Sequence, residues 1–195
     1  MNAHAAAILT HPHPCAHIVY PYTDENLVGQ AVCLFATSGI RDGEGVILIM
    51  SGDHCEPIKL RLQVEGFNVE AYERSGQLTC VTTEDLLGKF MQHGTLNEDL
   101  FRSTISHLIR RARTTMINGH PAKVRVFGEM VSQLRDSDLA ATTRLEELWN
   151  EVIREHSVSL LCTYALHNAK DHIPEGLVDL HTHSIERESS VGHNA

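Results

Sequence analysis

The sequence predicts an α/β fold, a three-layer sandwich built on a mainly parallel central sheet. Three observations carry that expectation. Short apolar runs of strand length alternate with amphipathic segments of 10–17 residues, as parallel strands require, since each crossover between them needs a helix. Val46-Ile-Leu-Ile-Met50 is apolar at every position, the pattern of an inner strand covered on both faces. The 195 residues contain no repeat or low-complexity block and suit one domain with a sizeable core.

The elements follow in order. Residues 1–14 read as a loose leader, with Pro12 and Pro14 blocking regular structure. Ala16–Tyr22 reads as a strand. Thr23-Asp-Glu-Asn26 is an acidic, capped helix entry; Leu27, Ala31, Leu34 and Phe35 recur at helical spacing, and Ser38-Gly39 closes the helix. Arg41–Gly45 is a turn into the strand Val46–Met50. Asp53–Val64 is a helix stopped by Gly66, and Phe67–Ala71 and Gln77–Thr82 read as strands. Thr83-Thr-Glu-Asp opens a helix to about Gln92. Leu100–Met116 is a long amphipathic helix bearing Arg110, Arg111 and Arg113. Val124–Phe127 is a strand followed by Gly128-Glu-Met130, Asp138–Glu155 a strong helix, and Ser159–Tyr164 a final strand. Leu177–Ile185 offers one or two helical turns before a polar tail at 186–195, leaving a single domain over 15–185.

Composition excludes several classes. Lys+Arg number 16 against Asp+Glu 25, a formal charge of −9, which argues against direct nucleic-acid binding because phosphate backbones need a basic face. Apolar runs such as Val46–Met50 are only about five residues long, far short of a membrane span, and the Ala-rich start lacks a basic flank for secretion. Cys15, Cys33, Cys55, Cys80 and Cys162 are odd in number and form no CxxC pair, a reduced, cytoplasmic pattern. Cys33, Cys80 and Cys162 lie in apolar stretches and read as small core residues.

The 14 histidines are the compositional oddity. Most fall near the ends. His181-Thr-His183 and His11-Pro-His13 are HxH pairs, but two histidines make half of a zinc shell; no metal and no cofactor is expected, with His181 and His183 the weak candidates for one. His17 differs, because it opens a strand and is read as partly buried.

Ligands of open α/β sheets bind beyond the carboxyl ends of strands, which singles out Tyr20, Tyr22, Ser51 to His54, Glu129 with Met130, and Cys162 to Tyr164. Glu129 is the sharpest: an acid directly after an apolar strand either serves function, caps the next segment or pairs with an arginine such as Arg125. No GxxxxGK[ST], GxGxxG, GxSxG or HExxH occurs, so nucleotide hydrolysis and the common hydrolase chemistries are not expected.

His17-Ile-Val-Tyr20 with Asp24-Glu25, Gly39-Ile with Gly43–Ile49, Gly66–Glu70 with Ser75–Leu78, Phe127–Met130, Leu145–Asn150, Leu161–Tyr164 and the late His181-Thr-His183 together resemble, in order and spacing, the MEDS domain, the methanogen/methylotroph sensory domain of the dichloromethane-responsive repressor. The resemblance implies a RecA/KaiC-like fold without a working P-loop, and a sensory role in signalling or transcription for which simple hydrocarbon derivatives are suggested ligands. His17, Tyr20, Glu129, Met130 and Asn150 match its pattern. In that family the domain is often fused to a DNA-binding or kinase module; with so little chain outside 15–185, a stand-alone sensor is the expectation.

Three readings stand. The leading one is a small-molecule sensor that is not an enzyme, holding a small, mostly apolar organic ligand among His17, Tyr20, Glu129, Met130, Asn150 and Tyr164 and regulating a partner histidine kinase or transcription regulator. The second is a degenerate RecA-like nucleotide-binding protein or enzyme using Glu129. The third is an interaction module without ligand, for instance a homodimer acting by contact through the arginine-bearing helix.

Overall fold

Along the chain the elements are α1 (Ala3–Thr10), β1 (His17–Tyr22), α2 (Glu25–Arg41), β2 (Gly45–Met50), α3 (Gly52–Val64), α4 (Val69–Ser75), β3 (Leu78–Thr82), α5 (Thr83–Phe90), the two-residue strands β4 (Met91–Gln92) and β5 (Thr95–Leu96), α6 (Glu98–Ala112), a second short pair β6 (Met116–Ile117) and β7 (His120–Pro121), β8 (Val124–Gly128), α7 (Met130–Arg135), α8 (Leu139–His156), β9 (Ser159–Ala165), α9 (Glu175–Val178) and β10 (His183–Ser184). The computed structural model describes residues 1–113, 116–117, 120–168 and 170–186. Six strands form one sheet in the order β10-β1-β9-β8-β2-β3, and every pairing in it is parallel. Among the described residues no helix is long and apolar enough to cross a membrane.

Successive side chains of a strand point to opposite faces, and β2 shows what that means here: Val46, Leu48 and Met50 enter one core while Ile47 and Ile49 enter the other. The first core is completed by Ala5 and Leu9 of α1, Val28 to Ile40 of α2 and Ile58 and Leu62 of α3. The second is completed by Leu86 and Phe90 of α5, Phe101 to Ile109 of α6, Met130 to Leu134 of α7 and Leu145 to Ile153 of α8. This is the three-layer α/β sandwich the sequence predicts. The layers meet closely: a Cβ on Gly45 would lie 2.4 Å from the Ala112 carbonyl oxygen, so α6 ends against bare backbone at the start of β2.

Several elements differ from expectation. The leader is not loose between Ala3 and Thr10: Asn2 accepts from Ala5 N–H at 2.8 Å, the alanine run favours helix, and Leu9 is fully buried. Phe67–Ala71 alternates like a strand, but the Asn68 side chain caps Ala71 N–H at 3.0 Å and starts α4 instead. The predicted last helical turns split into α9 and β10, which extends the sheet beside β1 by pairing Ile18 with His183. Residues 114 and 115, near the end of the predicted long helix, and 187–195 of the polar tail lie outside the described residues.

Among the described residues, Arg125 on β8 is the strand side chain that brings a charge into the first core. It is 1% exposed. Its Nε donates to Glu44 Oε2, its Nη1 to the Phe35 and Leu9 carbonyls at 2.9 and 3.3 Å, and it lies over the Phe35 ring. Gly39 makes room, since a Cβ there would sit 2.6 Å from Arg125 Cδ. Removing one partner of a buried ion pair leaves the rest uncompensated, so Arg125→Ala should lower stability by about 2–4 kcal/mol, Glu44 keeping some contact with water. Urea unfolding measures this; an unchanged midpoint would show that the α1 and α2 carbonyls do not depend on the guanidinium.

Candidate functional site

β2 and β8 end side by side, Ile49 opposite Gly128, and the chain leaves them into α3 and α7. Glu129 bridges the two exits. Its N–H donates to the Ile49 carbonyl at 3.1 Å, its Oε2 accepts from Ser51 N–H at 2.7 Å, and its Oε1 lies 2.7 Å from His54 Nδ1. The other nitrogen of that ring, Nε2, is 2.8 Å from Glu25 Oε2 in the first turn of α2. A carboxylate only accepts hydrogen bonds, so an imidazole between two of them holds a proton on each nitrogen. The hydrogen bond to Glu129 raises the His54 pKa to about 9, against the opposing effect of burial and with further help from the charges of Glu129 and Glu25. Beside it, burial and the same two carboxylates push the Tyr22 hydroxyl up.

Two cavities meet at His54 and Glu129. One, of about 220 Å³, has Val28, Val32, Pro57 and Ile58 as apolar walls and Glu25, Asn26 and Arg61 at its margin. The other, of about 320 Å³, is bordered by Tyr22, Ser51, Asp53, Ser132 and Gln133. The helix starts around them are closed to phosphate by the protein's own acids: Asp24 accepts from Asn26 and Leu27 N–H at the head of α2, and Glu84 accepts from Gly52 N–H at the head of α3.

A second constellation lies deeper, between the sheet and α8. His17 opens β1, Cys162 and Tyr164 share the same face of neighbouring β9, Glu146 and Asn150 descend from α8, and His181 follows α9. The side chains of His17, Glu146 and His181 are 0% exposed. His17 Nε2 lies 3.2 Å from Glu146 Oε2 and 3.5 Å from Cys162 Sγ. The Tyr164 hydroxyl donates to Glu146 Oε1, and His181 Nε2 is 3.4 Å from that oxygen without a hydrogen-bond partner. The imidazole rings stand 4.0 Å apart. Burial alone would raise the Glu146 pKa, but the adjoining imidazoles of His17 and His181 outweigh it and hold the carboxyl well below its usual range. Burial and the Glu146 charge push the Cys162 thiol well up.

The family model described as MEDS, the methanogen/methylotroph, DcmR sensory domain, matches residues 16–182. The chain belongs to the MEDS family. Comparison with curated proteins finds no matching relative. The MEDS span opens one residue before His17 and closes one after His181, so both ends of the buried constellation lie within it.

The residues singled out from sequence are not brought to one place in this MEDS domain. His17, Asn150 and Tyr164 come together in the buried constellation. Glu129 stands in the cleft at the strand ends. Tyr20 packs on the opposite face of β1 among Ile18, Tyr22 and the α2 side chains, and Met130 is core beneath α8. His181 joins His17, whereas His183 turns to Thr182 Oγ1 at 2.8 Å on the edge strand; the HxH pair therefore does not act as a unit. Arg125 pairs with Glu44 across the sheet from the cluster, not with Glu129. Sequence reading missed Glu25, His54 and Glu146 as partners; Cys162 is a core residue as expected, and it also faces Glu146. For Glu146 a signal existed: it sits three and four residues before Trp149 and Asn150, on the buried stripe of α8, while Glu147 faces outward.

The raised His54 pKa carries a sign. Stabilisation from its paired imidazolium is fully present below its ordinary pKa of 6.5 and is lost as pH rises through about 9. His54→Gln should therefore flatten the stability profile between these limits by about 1–2 kcal/mol, a figure discounted for the ring's partial exposure. NMR titration of the imidazole should give a midpoint near 9 in the parent and a lower one in Glu129→Gln; a parent midpoint at the ordinary value would overturn the assignment.

Proposed function

We propose that this MEDS domain is a small-molecule sensor whose ligand enters the cleft at the carboxyl ends of β2 and β8. The observation that carries the reading is the Glu129–His54–Glu25 chain standing beside an apolar-walled cavity of about 220 Å³. Sites of this kind take most of their affinity from apolar walls and their orientation from one or two polar groups. A small organic molecule, hydrocarbon-derived with a single polar handle, fits that division: its body against Val28, Val32 and Ile58, its handle exchanging a hydrogen bond with Glu129 or His54. Both nitrogens of His54 are already engaged, which supports recognition over proton abstraction. A nucleotide is disfavoured by the carboxylates that occupy the helix starts.

The output of such a sensor is a partner, a histidine kinase or a transcription regulator, and the excess of acid favours a protein surface over DNA. All five cysteines are free, which supports a reducing, cytoplasmic setting.

The test is a thermal-shift screen of short-chain alcohols, halogenated alkanes and amines on the full chain. At a hundredfold excess over Kd a ligand specific for the folded state adds about 2.7 kcal/mol, or roughly 5–10 °C in Tm for a chain of this size. Glu129→Gln should abolish or sharply reduce that response. Equal shifts in parent and variant would remove the cleft from the reading.

A further inference from the structure

The geometry points to a buried transition-metal site formed by His17, Glu146, Cys162 and His181, matched in donor set to zinc. Each of the four offers one ligand atom, and these atoms all lie within 4.8 Å of one another. The donors come from β1, α8, β9 and the segment after α9, so the topology gathers them from four separate stretches of chain.

Donor spacing supports an ion at the centre. Zinc bonds of about 2.0–2.3 Å at tetrahedral angles put neighbouring ligand atoms roughly 3.3–3.7 Å apart. Here His17 Nε2 to Glu146 Oε2 is 3.2 Å, His17 Nε2 to Cys162 Sγ 3.5 Å and Cys162 Sγ to Glu146 Oε2 3.7 Å, with His181 the fourth member of the set.

Tautomers agree with this. The Leu177 carbonyl can only accept, so His181 Nδ1, 2.8 Å away, carries the ring proton. Asn150 Nδ2 donates to the Leu180 carbonyl at 2.9 Å, which turns Oδ1 toward His17 Nδ1 at 3.1 Å; that nitrogen carries its proton too. Both Nε2 atoms are thereby directed inward as donors of a lone pair, and His181 Nε2, buried, has no hydrogen bond of its own. Metal-bound histidines are held in this way by an acceptor behind the ring. Tyr164 does the same for the carboxylate, donating to Glu146 Oε1.

Charge closes the case. Two neutral imidazoles, a thiolate and a carboxylate around a dication sum to zero, which a buried site needs. On binding, Cys162 releases its thiol proton to solvent and the sulfur pair forms the metal bond. Four protein donors shut off from water describe a structural site, not one with an open position for substrate. Its effect is to fasten residues 179–184 onto β1.

The experiment uses the full chain without an affinity tag. Elemental analysis should find one zinc ion per chain, and cobalt added after chelation should give intense visible bands with a near-ultraviolet thiolate-to-cobalt band. Cys162→Ser should lose that band and most of the metal, while a variant lacking His11, His13 and His183 should keep both. Substoichiometric metal, cobalt bound with no thiolate band, or metal lost only with the terminal histidines (an adventitious ion only) would each overturn the proposal. The cobalt spectrum of the parent decides even where Cys162→Ser does not fold.

Discussion

A sheet covered on both faces gives its inner strands almost no access to water, and that constraint governs the polar residues they carry. A polar group placed on such a strand must find its partner inside the protein or destabilise the fold by several kcal/mol. The chain places few charged ones there, and the buried guanidinium and carboxylate are answered. Arg125 draws Glu44 and two carbonyls around it on one face. On the other, His17 and Cys162 draw Glu146 down from α8, and Tyr164 spends its hydroxyl on the same carboxylate. The single buried acid of α8 is thus explained by the strands beneath it and not by its own helix.

At the strand ends the same rule acts through helix starts. Exposed N–H groups at the first turn of a helix attract anions, and in many α/β proteins that anion is a ligand phosphate. Here Asp24 and Glu84 take those places, while Glu129 accepts the Ser51 N–H. Part of the net negative charge is therefore structural. It turns the cleft from an anion site into one that has an imidazolium held between two acids, next to apolar walls.

Much of this was legible in the sequence. The apolar run at 46–50 and the helix at 138–155 declare themselves by period, because burial imposes the period directly. His17 stood out as a polar residue opening a strand. What failed were signals that local pattern cannot rank. Phe67, Val69 and Ala71 alternate as a strand would, and only the Asn68 cap decides for helix. Leu177 and Leu180 have helical spacing, yet pairing with β1 at Ile18 claims the residues that follow. His54 and Glu25 lie on different helices, 29 positions apart, and no periodicity links them; their meeting depends on where β1 and β2 end. Glu146 and Cys162 were readable one at a time as a charge and a small core residue, and only the fold makes them neighbours.

The cleft and the buried constellation are not separate objects. Glu129 heads α7, and within that helix Ser132 accepts from the Ala165 N–H at 2.9 Å. Ala165 follows Tyr164 in β9, and Tyr164 holds Glu146. One short helix therefore has its N-cap residue in the cleft and its first turn tied to the strand whose tyrosine grips the buried carboxylate. A contiguous chain of contacts is not in itself coupling; that requires an element with two arrangements that both sites bias. The six residues of α7 are the element in which to seek it, because a shift of α7 at Glu129 must either break the Ser132 bond or move the end of β9 with it. A fastened constellation would resist the second course, which makes the Ser132–Ala165 contact the place to test for coupling between the cleft and the constellation.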